Sequence, residues 1–290
     1  MGDQVAVVTG VGTGSLGEAT AYSLRTLGFR VLTSTRTCAT TPDTHALELT
    51  SRASVAEFAR WVQDSTARLD VLVNNAGVHL DLRSAWHEPH LVDGMEVHWR
   101  TNYLGPAQLT RLLIPLLLRT ADQHGEARVV NVVSRLHARG RNEGLDGHLS
   151  PYDSWAAYGT SKLALVHEAH EIERRYGARG LHAYSVHPGA VATKIADRGL
   201  ETAPVLGRLR RLLAPVERRV LKRPDEGART TVFCATSPQA RPGGYHRSSA
   251  PSLPSEDAQD EEAGRILWEA TTRWCEAAPP GQRPPHRDSP

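Results

Sequence analysis

Short apolar runs alternate with longer amphipathic stretches along this chain. The runs Val5–Thr9, Arg30–Thr35, Ala46–Leu49, Val71–Asn74, Arg128–Val133 and Leu181–Val186 read as strands, and Tyr245 marks a seventh. Most are apolar at successive positions, as expected of strands covered by helices on both faces. Between them, Glu18–Leu27, Val55–Ser65, Gly105–Leu118 and Ser161–Arg175 carry the helical period. Strand–helix alternation of this kind predicts an α/β fold, a doubly wound seven-stranded parallel sheet in a single domain. That domain is expected to span residues 1–276. From Ala277 the chain turns polar and Pro-rich (Pro279, Pro280, Pro284, Pro285, Pro290), which predicts a disordered tail over 277–290.

Composition agrees with one large core: 290 residues, 40% of them hydrophobic, can bury a single domain of this type. A formal charge of +2, spread without a basic stripe, argues against a nucleic-acid partner. The three cysteines, Cys38, Cys234 and Cys275, are far apart and form no CxxC pair, which suits a reducing compartment. Met1-Gly2-Asp3-Gln4 leads directly into the first strand, so no signal peptide is expected. The apolar run Leu112–Leu118 is far shorter than the ~20 residues of a membrane span. The expectation is a soluble, cytoplasmic protein.

Two local patterns carry chemistry. After the first strand come Val8-Thr9-Gly10-Val11-Gly12-Thr13-Gly14-Ser15-Leu16-Gly17, and a helix follows. Glycines 12, 14 and 17 fit G-x-G-x-x-G, which lets backbone approach a pyrophosphate at a helix N-terminus. The strand-to-helix context separates this from a Gly-rich turn without a ligand. The next strand, Val31-Leu32-Thr33-Ser34-Thr35-Arg36, has no carboxylate for a ribose 2′-hydroxyl. It ends in Arg36, with hydroxyls at Ser34, Thr35 and Thr37, and so favours NADP(H) over NAD(H). The plain alternative is that Arg36 is a solvated strand-end charge.

The second pattern is Tyr158-Gly159-Thr160-Ser161-Lys162. Residues four apart on a helix share a face, and a fixed ammonium favours the phenolate. By itself this spacing also occurs by chance on many helices.

In their order along the chain these motifs resemble the short-chain dehydrogenase/reductase family, within its retinol-dehydrogenase-like branch. The likeness runs from about Val5 to Trp274. It includes Asn74-Asn75-Ala76-Gly77, Asn102-Tyr103-Leu104-Gly105, Arg128 to Ser134, the Tyr158/Lys162 pair, and His187-Pro188-Gly189-Ala190-Val191-Ala192-Thr193. Pro224-Asp225-Glu226-Gly227-Ala228 and Ala235-Thr236-Ser237-Pro238 are also similar to the branch.

The resemblance implies a Rossmann-type fold and hydride transfer between a nicotinamide cofactor and a carbonyl or alcohol. Tyr158 would be the general acid or base. Lys162 would hold the nicotinamide ribose and lower the Tyr158 pKa. Ser134 would bond the substrate oxygen, and Asn102 would hold a water linking Lys162 to solvent. Gly10, Gly12, Gly14, Ser15, Leu16 and Gly17 would cradle the phosphates, and Asn75, Ala76 and Gly77 would line the cleft. Pro188, Gly189, Val191 and Thr193 would meet the nicotinamide end. Glu48 and Leu49 stand where the family surrounds the adenine. A homodimer or homotetramer without membrane contact is expected.

Three positions depart from the pattern. The loop from Gly10 to Gly17 is one residue longer than T-G-x-x-x-G-x-G, leaving open whether Gly14 or Ser15 takes the middle place. Glu48 replaces an aspartate, and Val133 replaces the first serine of a Ser-Ser pair.

Other candidates fall away. In His167-Glu168-Ala169-His170 the histidines are three apart, not the four of H-E-x-x-H, and a solvated helix face is expected there. His79, His87, His90, His98 and His137 show no ligand spacing, and His137 reads as a neutral loop histidine near the pocket edge. No metal site is expected. G-x-S-x-G is absent, which removes the serine-hydrolase reading.

Two segments are expected to select the substrate. In the loop Arg135 to Ala157, Tyr152 and Trp155 either wall a pocket or lie on the surface. Residues 194–223 would form a lid, with Leu206, Leu209, Leu213, Val216 and Val220 at helical spacing. The branch implies a bulky apolar carbonyl. Redox-neutral cyclisation or epimerisation on the same cofactor, and a non-catalytic NADP sensor, remain open alternatives at this stage.

Overall fold

The computed structural model describes residues 4–36, 41–79, 88–191 and 222–277. In chain order these form β1 (Val5–Val8), α1 (Leu16–Thr26), β2 (Arg30–Thr35), β3 (Thr44–Ala46), α2 (Arg52–Ser65) and β4 (Val71–Asn74). A small hairpin, β5 (Leu91–Val92) and β6 (Met95–Glu96), precedes a π-helical turn at Trp99–Leu104 and α3 (Gly105–His124). Then come β7 (Ala127–Val132), α4 (Ser154–Tyr176), β8 (Leu181–His187), α5 (Pro224–Thr236), β9 (Tyr245–Arg247), β10 (Ala250–Ser252) and α6 (Glu261–Glu276).

One sheet has the order β10-β9-β8-β7-β4-β1-β2-β3. Every neighbouring pair is parallel except β9–β10, which is antiparallel. The sheet thus has eight strands and not the expected seven. The extra one is the short edge strand at Ala250–Ser252, whose exposed residues carry no apolar run by which it could be read.

Alternation along each strand divides the core. Val5 and Val7 of β1 face α2 and α3 with Leu32, Leu72 and Val129, packing on Phe58, Leu113 and Leu117. Ala6 and Val8 point the other way with Val31, Val71, Val73 and Val130, toward Ala21 and Leu24 of α1 and Cys234 of α5. Strand order reverses between β1, which leads to β2, and β4, which leads to β7. The crevice at the C-terminal ends of strands at such a reversal is where α/β sheets bind ligands.

Helix starts follow their caps. Asp153 accepts N–H bonds from Trp155 and Ala156, so α4 begins at Ser154, seven residues before the expected Ser161. Tyr158 therefore lies in the second turn of a helix. The strand expected at Ala46–Leu49 instead ends at Ala46, because its pairing with β2 runs from Thr33–Thr44 to Thr35–Ala46. Beyond it, Leu47 and Leu49 enter the core as loop residues.

Candidate active site

The phosphate loop is built on contact between the ends of β1 and β4. Thr9 Oγ1 accepts the backbone N–H groups of Asn75 and Ala76, both at 3.0 Å, and Asn75 Nδ2 donates to Thr9 O at 2.7 Å. Gly10 has φ +73°, and a Cβ there would lie 2.8 Å from Ala76 Cα, so only glycine fits the join. Gly10 N–H donates to Ser34 Oγ at 3.0 Å. The Ser34 hydroxyl is thus committed to the loop, whereas Arg36 at the end of β2 is exposed.

Ser15 is the N-cap of α1, its Oγ accepting from Gly12 N and Glu18 N at 3.1 Å each. Gly14, at φ +72°, forms the turn before it. The Gly14 N–H points at a carboxylate, Glu18 Oε2, 2.6 Å away. An anion is therefore already drawn to this amide, where a helix N-terminus favours one. The Gly10–Gly17 cradle, open above Gly12 and Gly14, fits a dinucleotide pyrophosphate.

Across the crevice stand the proposed reactive groups. Ser134, at the end of β7, caps a short 3-10 turn, its Oγ accepting from Leu136 N at 3.2 Å. The Ser134 hydroxyl lies near enough to the Tyr158 phenol to influence its titration. Lys162, one turn further along α4, is buried and donates from Nζ to Val132 O at 3.0 Å. Burial pushes Tyr158 up to about 12, against a smaller lowering by the neighbouring Ser134 hydroxyl. Burial brings Lys162 down to about 8.

The expectation that Lys162 lowers the Tyr158 pKa is not met in this state. Its ammonium lies 5.9 Å from the phenol ring centre and is turned to the Val132 carbonyl, and burial sets the direction of the Tyr158 shift.

Asn102 sits in the π-helical turn. Its Oδ1 accepts from Val78 N at 2.7 Å, and its Nδ2 donates to Val78 O at 2.9 Å and to Ser161 Oγ at 3.2 Å. It ties the loop segment following Gly77 to the helix carrying Tyr158, at a helical irregularity of the sort found at functional sites. A Cβ on Gly77 would lie 3.1 Å from Asn102 Oδ1 and 3.3 Å from Lys162 Nζ, so Gly77, Asn102 and Lys162 meet at one point.

Peripheral assignments separate from this centre. Glu48 is exposed and accepts from Thr50 N and Oγ1, at 3.0 and 2.8 Å, while Leu49 is buried in the core. Pro188 and Gly189 follow β8, and Val191 forms a bridge with Lys222. Thr193 and most of the lid expected over 194–223 lie outside the described residues, as does the tail beyond Ala277.

Two histidines near the phenol were not assigned from sequence, and Trp155, expected either to wall a pocket or to lie on the surface, packs beside them. His79 stacks on Tyr158 with ring centres 4.0 Å apart and planes at 9°. Trp155 meets His79 edge-on at 4.9 Å. His98 meets the Tyr158 ring edge-on at 6.0 Å and bonds Glu96 Oε1 at 2.8 Å, which also accepts from Tyr152. Tyr152 and Trp155 thus face inward. The only sequence signal was the place of His79, two residues past Gly77.

The His167–His170 stretch, expected to be solvated, is mostly buried. Glu168 pairs with Arg111 at 2.6 Å, and His167 Nε2 bonds Asn142 Oδ1 at 3.0 Å. These helix residues hold α4 against α3 and the loop before it.

A doubly wound fold with a glycine cradle at its strand-order reversal, facing Asn102, Ser134, Tyr158 and Lys162, defines a dinucleotide-dependent oxidoreductase. The profile of the short chain dehydrogenases matches residues 4–203. The chain belongs to this family, on its retinol-dehydrogenase-like branch. It is 35% identical to polyprenol dehydrogenase of Mus musculus, over 91% of this chain and 82% of that protein. To retinol dehydrogenase 13 of the same organism it is 32% identical, over 92% and 82%. A solved structure of an uncharacterized protein from Mycobacterium paratuberculosis matches with TM-score 0.68 at 28% identity, covering 96% of this chain and 95% of the other. Structures of the same fold hold NAD in one case and NADP in another, so the fold does not choose between them. Among the described residues no helix is long and apolar enough to cross a membrane.

Proposed function

We propose that this protein is an NADP(H)-dependent oxidoreductase acting on the carbonyl, or the corresponding alcohol, of a bulky apolar substrate. The observation that carries the reading is Ser134 beside the Tyr158 phenol, with Lys162 one turn along the same helix. Nicotinamide, when bound, supplies or takes up the hydride. Everything else falls to the chain. Tyr158 gives its phenolic proton to the substrate oxygen as negative charge develops there, and takes it back in the oxidative direction. Ser134 donates a hydrogen bond to the same oxygen, stabilising that charge. Lys162 would hold the ribose hydroxyls of the cofactor and place a positive charge near the phenol.

The choice of NADP(H) rests on Arg36 and on the lack of a carboxylate at the end of β2. The substrate class rests on two relatives named for a polyprenol and for retinol, and on the inward-facing Trp155 and Tyr152. Loss of NADPH absorbance against a panel of terpenoid and polycyclic carbonyls tests the reading, with Tyr158→Phe as control. Tight NADPH binding without turnover of any carbonyl would refute it. NADH used as well as NADPH would refute the role of Arg36.

A further inference from the structure

We propose that His137 is a positioning residue that fixes Ser134, acting as a strut between the Ser134 turn and the segment after β10. The proposal rests on the reading of Ser134 as the donor to the substrate oxygen.

His137 lies on the 3-10 turn Arg135–Arg139, and it is buried. Its Nδ1 is 2.7 Å from Ser134 O and its Nε2 is 3.0 Å from Ser255 N. A carbonyl can only accept and a backbone N–H can only donate. The ring must therefore carry its proton on Nδ1 and present a lone pair at Nε2. An imidazolium would set one N–H against another. Burial, which holds the His137 pKa below its ordinary value, agrees with a neutral ring.

The strut acts on Ser134 directly. The Ser134 carbonyl also accepts the His137 backbone N–H at 3.0 Å, and the Ser134 hydroxyl accepts from Leu136 N. One residue is thus gripped at both polar ends, which sets the direction of its hydroxyl toward Tyr158. The Tyr245 ring of β9 packs on the imidazole, with centres 4.9 Å apart.

The far end is anchored as well. Two residues past Ser255, Asp257 receives Asn142 N at 3.1 Å and Arg141 Nη1 at 2.9 Å. Asn142 Oδ1 in turn meets His167 Nε2 on α4. The chain of contacts from Ser134 through His137, Ser255, Asp257, Asn142 and His167 therefore ends on the helix that bears Tyr158. It holds the two oxygen-facing groups in one frame.

The test compares wild type, His137→Ala and His137→Asn as full chains. Turnover is measured with the best carbonyl, and NADPH affinity separately by fluorescence. We expect His137→Ala to lose ~10–30-fold in kcat, the scale of a misplaced donor to the reacting oxygen, with NADPH affinity unchanged. His137→Asn, whose amide N–H can reach the Ser134 carbonyl, should recover most of it. Wild-type kcat in His137→Ala, or no recovery in His137→Asn, would overturn the proposal. So would a fall in NADPH affinity that accounts for the loss.

A second measurement needs neither substrate nor His137→Ala. Long-range ¹⁵N–¹H spectra of wild type at neutral pH should show a ring protonated at Nδ1, assigned by its absence in His137→Asn. Protonation at Nε2, or at both nitrogens, overturns the strut. Failure of wild type to reduce any carbonyl counts against the oxidoreductase reading, while the spectrum still judges the strut.

Discussion

Glu18 occupies ground that a dinucleotide has to share. Its carboxylate bonds Gly14 N–H at 2.6 Å, in the first turn of α1 and at the mouth of the glycine cradle. A pyrophosphate entering there meets a like charge and must displace it from the amide. Two unit charges about 5 Å apart in water repel by ~0.8 kcal/mol, so two phosphate charges meet roughly 1–1.5 kcal/mol of opposition. Glu18→Gln removes that term and should tighten NADPH binding by about five- to tenfold at low salt. The exposed site should be screened, so the gain ought to shrink toward unity near 0.5 M salt, where the Debye length falls to a few ångströms. The same substitution removes a favourable charge at a helix N-terminus and should cost ~0.3–1 kcal/mol of stability. Titration calorimetry at two ionic strengths, with a urea melt, reads all three effects. Weaker binding in Glu18→Gln would show that the carboxylate helps hold the cofactor. A gain that ignores salt would show that the repulsion argument is wrong.

Three further outcomes follow from the site and its buried groups. Tyr158→Phe should lower kcat by at least ~10²-fold while NADPH still binds; turnover within a few fold of wild type excludes Tyr158 as the acid. Lys162 has its folded pKa depressed to about 8 from 10.5, so the apo protein gains stability from this group as pH rises between those values. The advantage of Lys162→Met over wild type should therefore shrink by ~2 kcal/mol from pH 8 to 10, and a constant difference in urea melts would refute the burial argument. His167, depressed to about 4 by burial, stays neutral in the fold while the unfolded chain protonates near 6.5. Its stability contribution should be lost as pH falls through that interval, and His167→Gln, which cannot titrate, should flatten the acid slope; an unchanged slope would place the acid sensitivity elsewhere.

Much of this architecture could be read from side-chain pattern because parallel strands buried on both faces leave continuous apolar runs. β10 could not, since Ala250-Pro251-Ser252 is an exposed edge held only by pairing to β9. The start of α4 was misread for a similar reason. Asp153 fixes it through a cap, while Ser154 to Thr160 carry a weak period. Within the site, Tyr158, Lys162, Ser134 and Asn102 were legible by motif. The ring packing of His79, Trp155 and His98 was not, because it joins residues brought together only by the turn after β4, the β5–β6 hairpin and the N-terminus of α4. The burial of His167 and Glu168 was hidden likewise, as their partners Asn142 and Arg111 come from distant segments.

The bridge between Val191 and Lys222 has a consequence for how such a protein diversifies. Lys222 N–H donates to Ala190 O at 2.8 Å, so the chain is clasped side by side at residues 190–191 and 222. What lies between, residues 192–221, is inserted at a clasp. Closing a loop costs entropy only logarithmically in its length, and doubling or halving it changes stability by ~0.6 kcal/mol. By this measure the number of residues between the two clasped points weighs little on the stability of the scaffold. The chain length between these two points can therefore change without moving Ser134 or Tyr158, which sit on other segments.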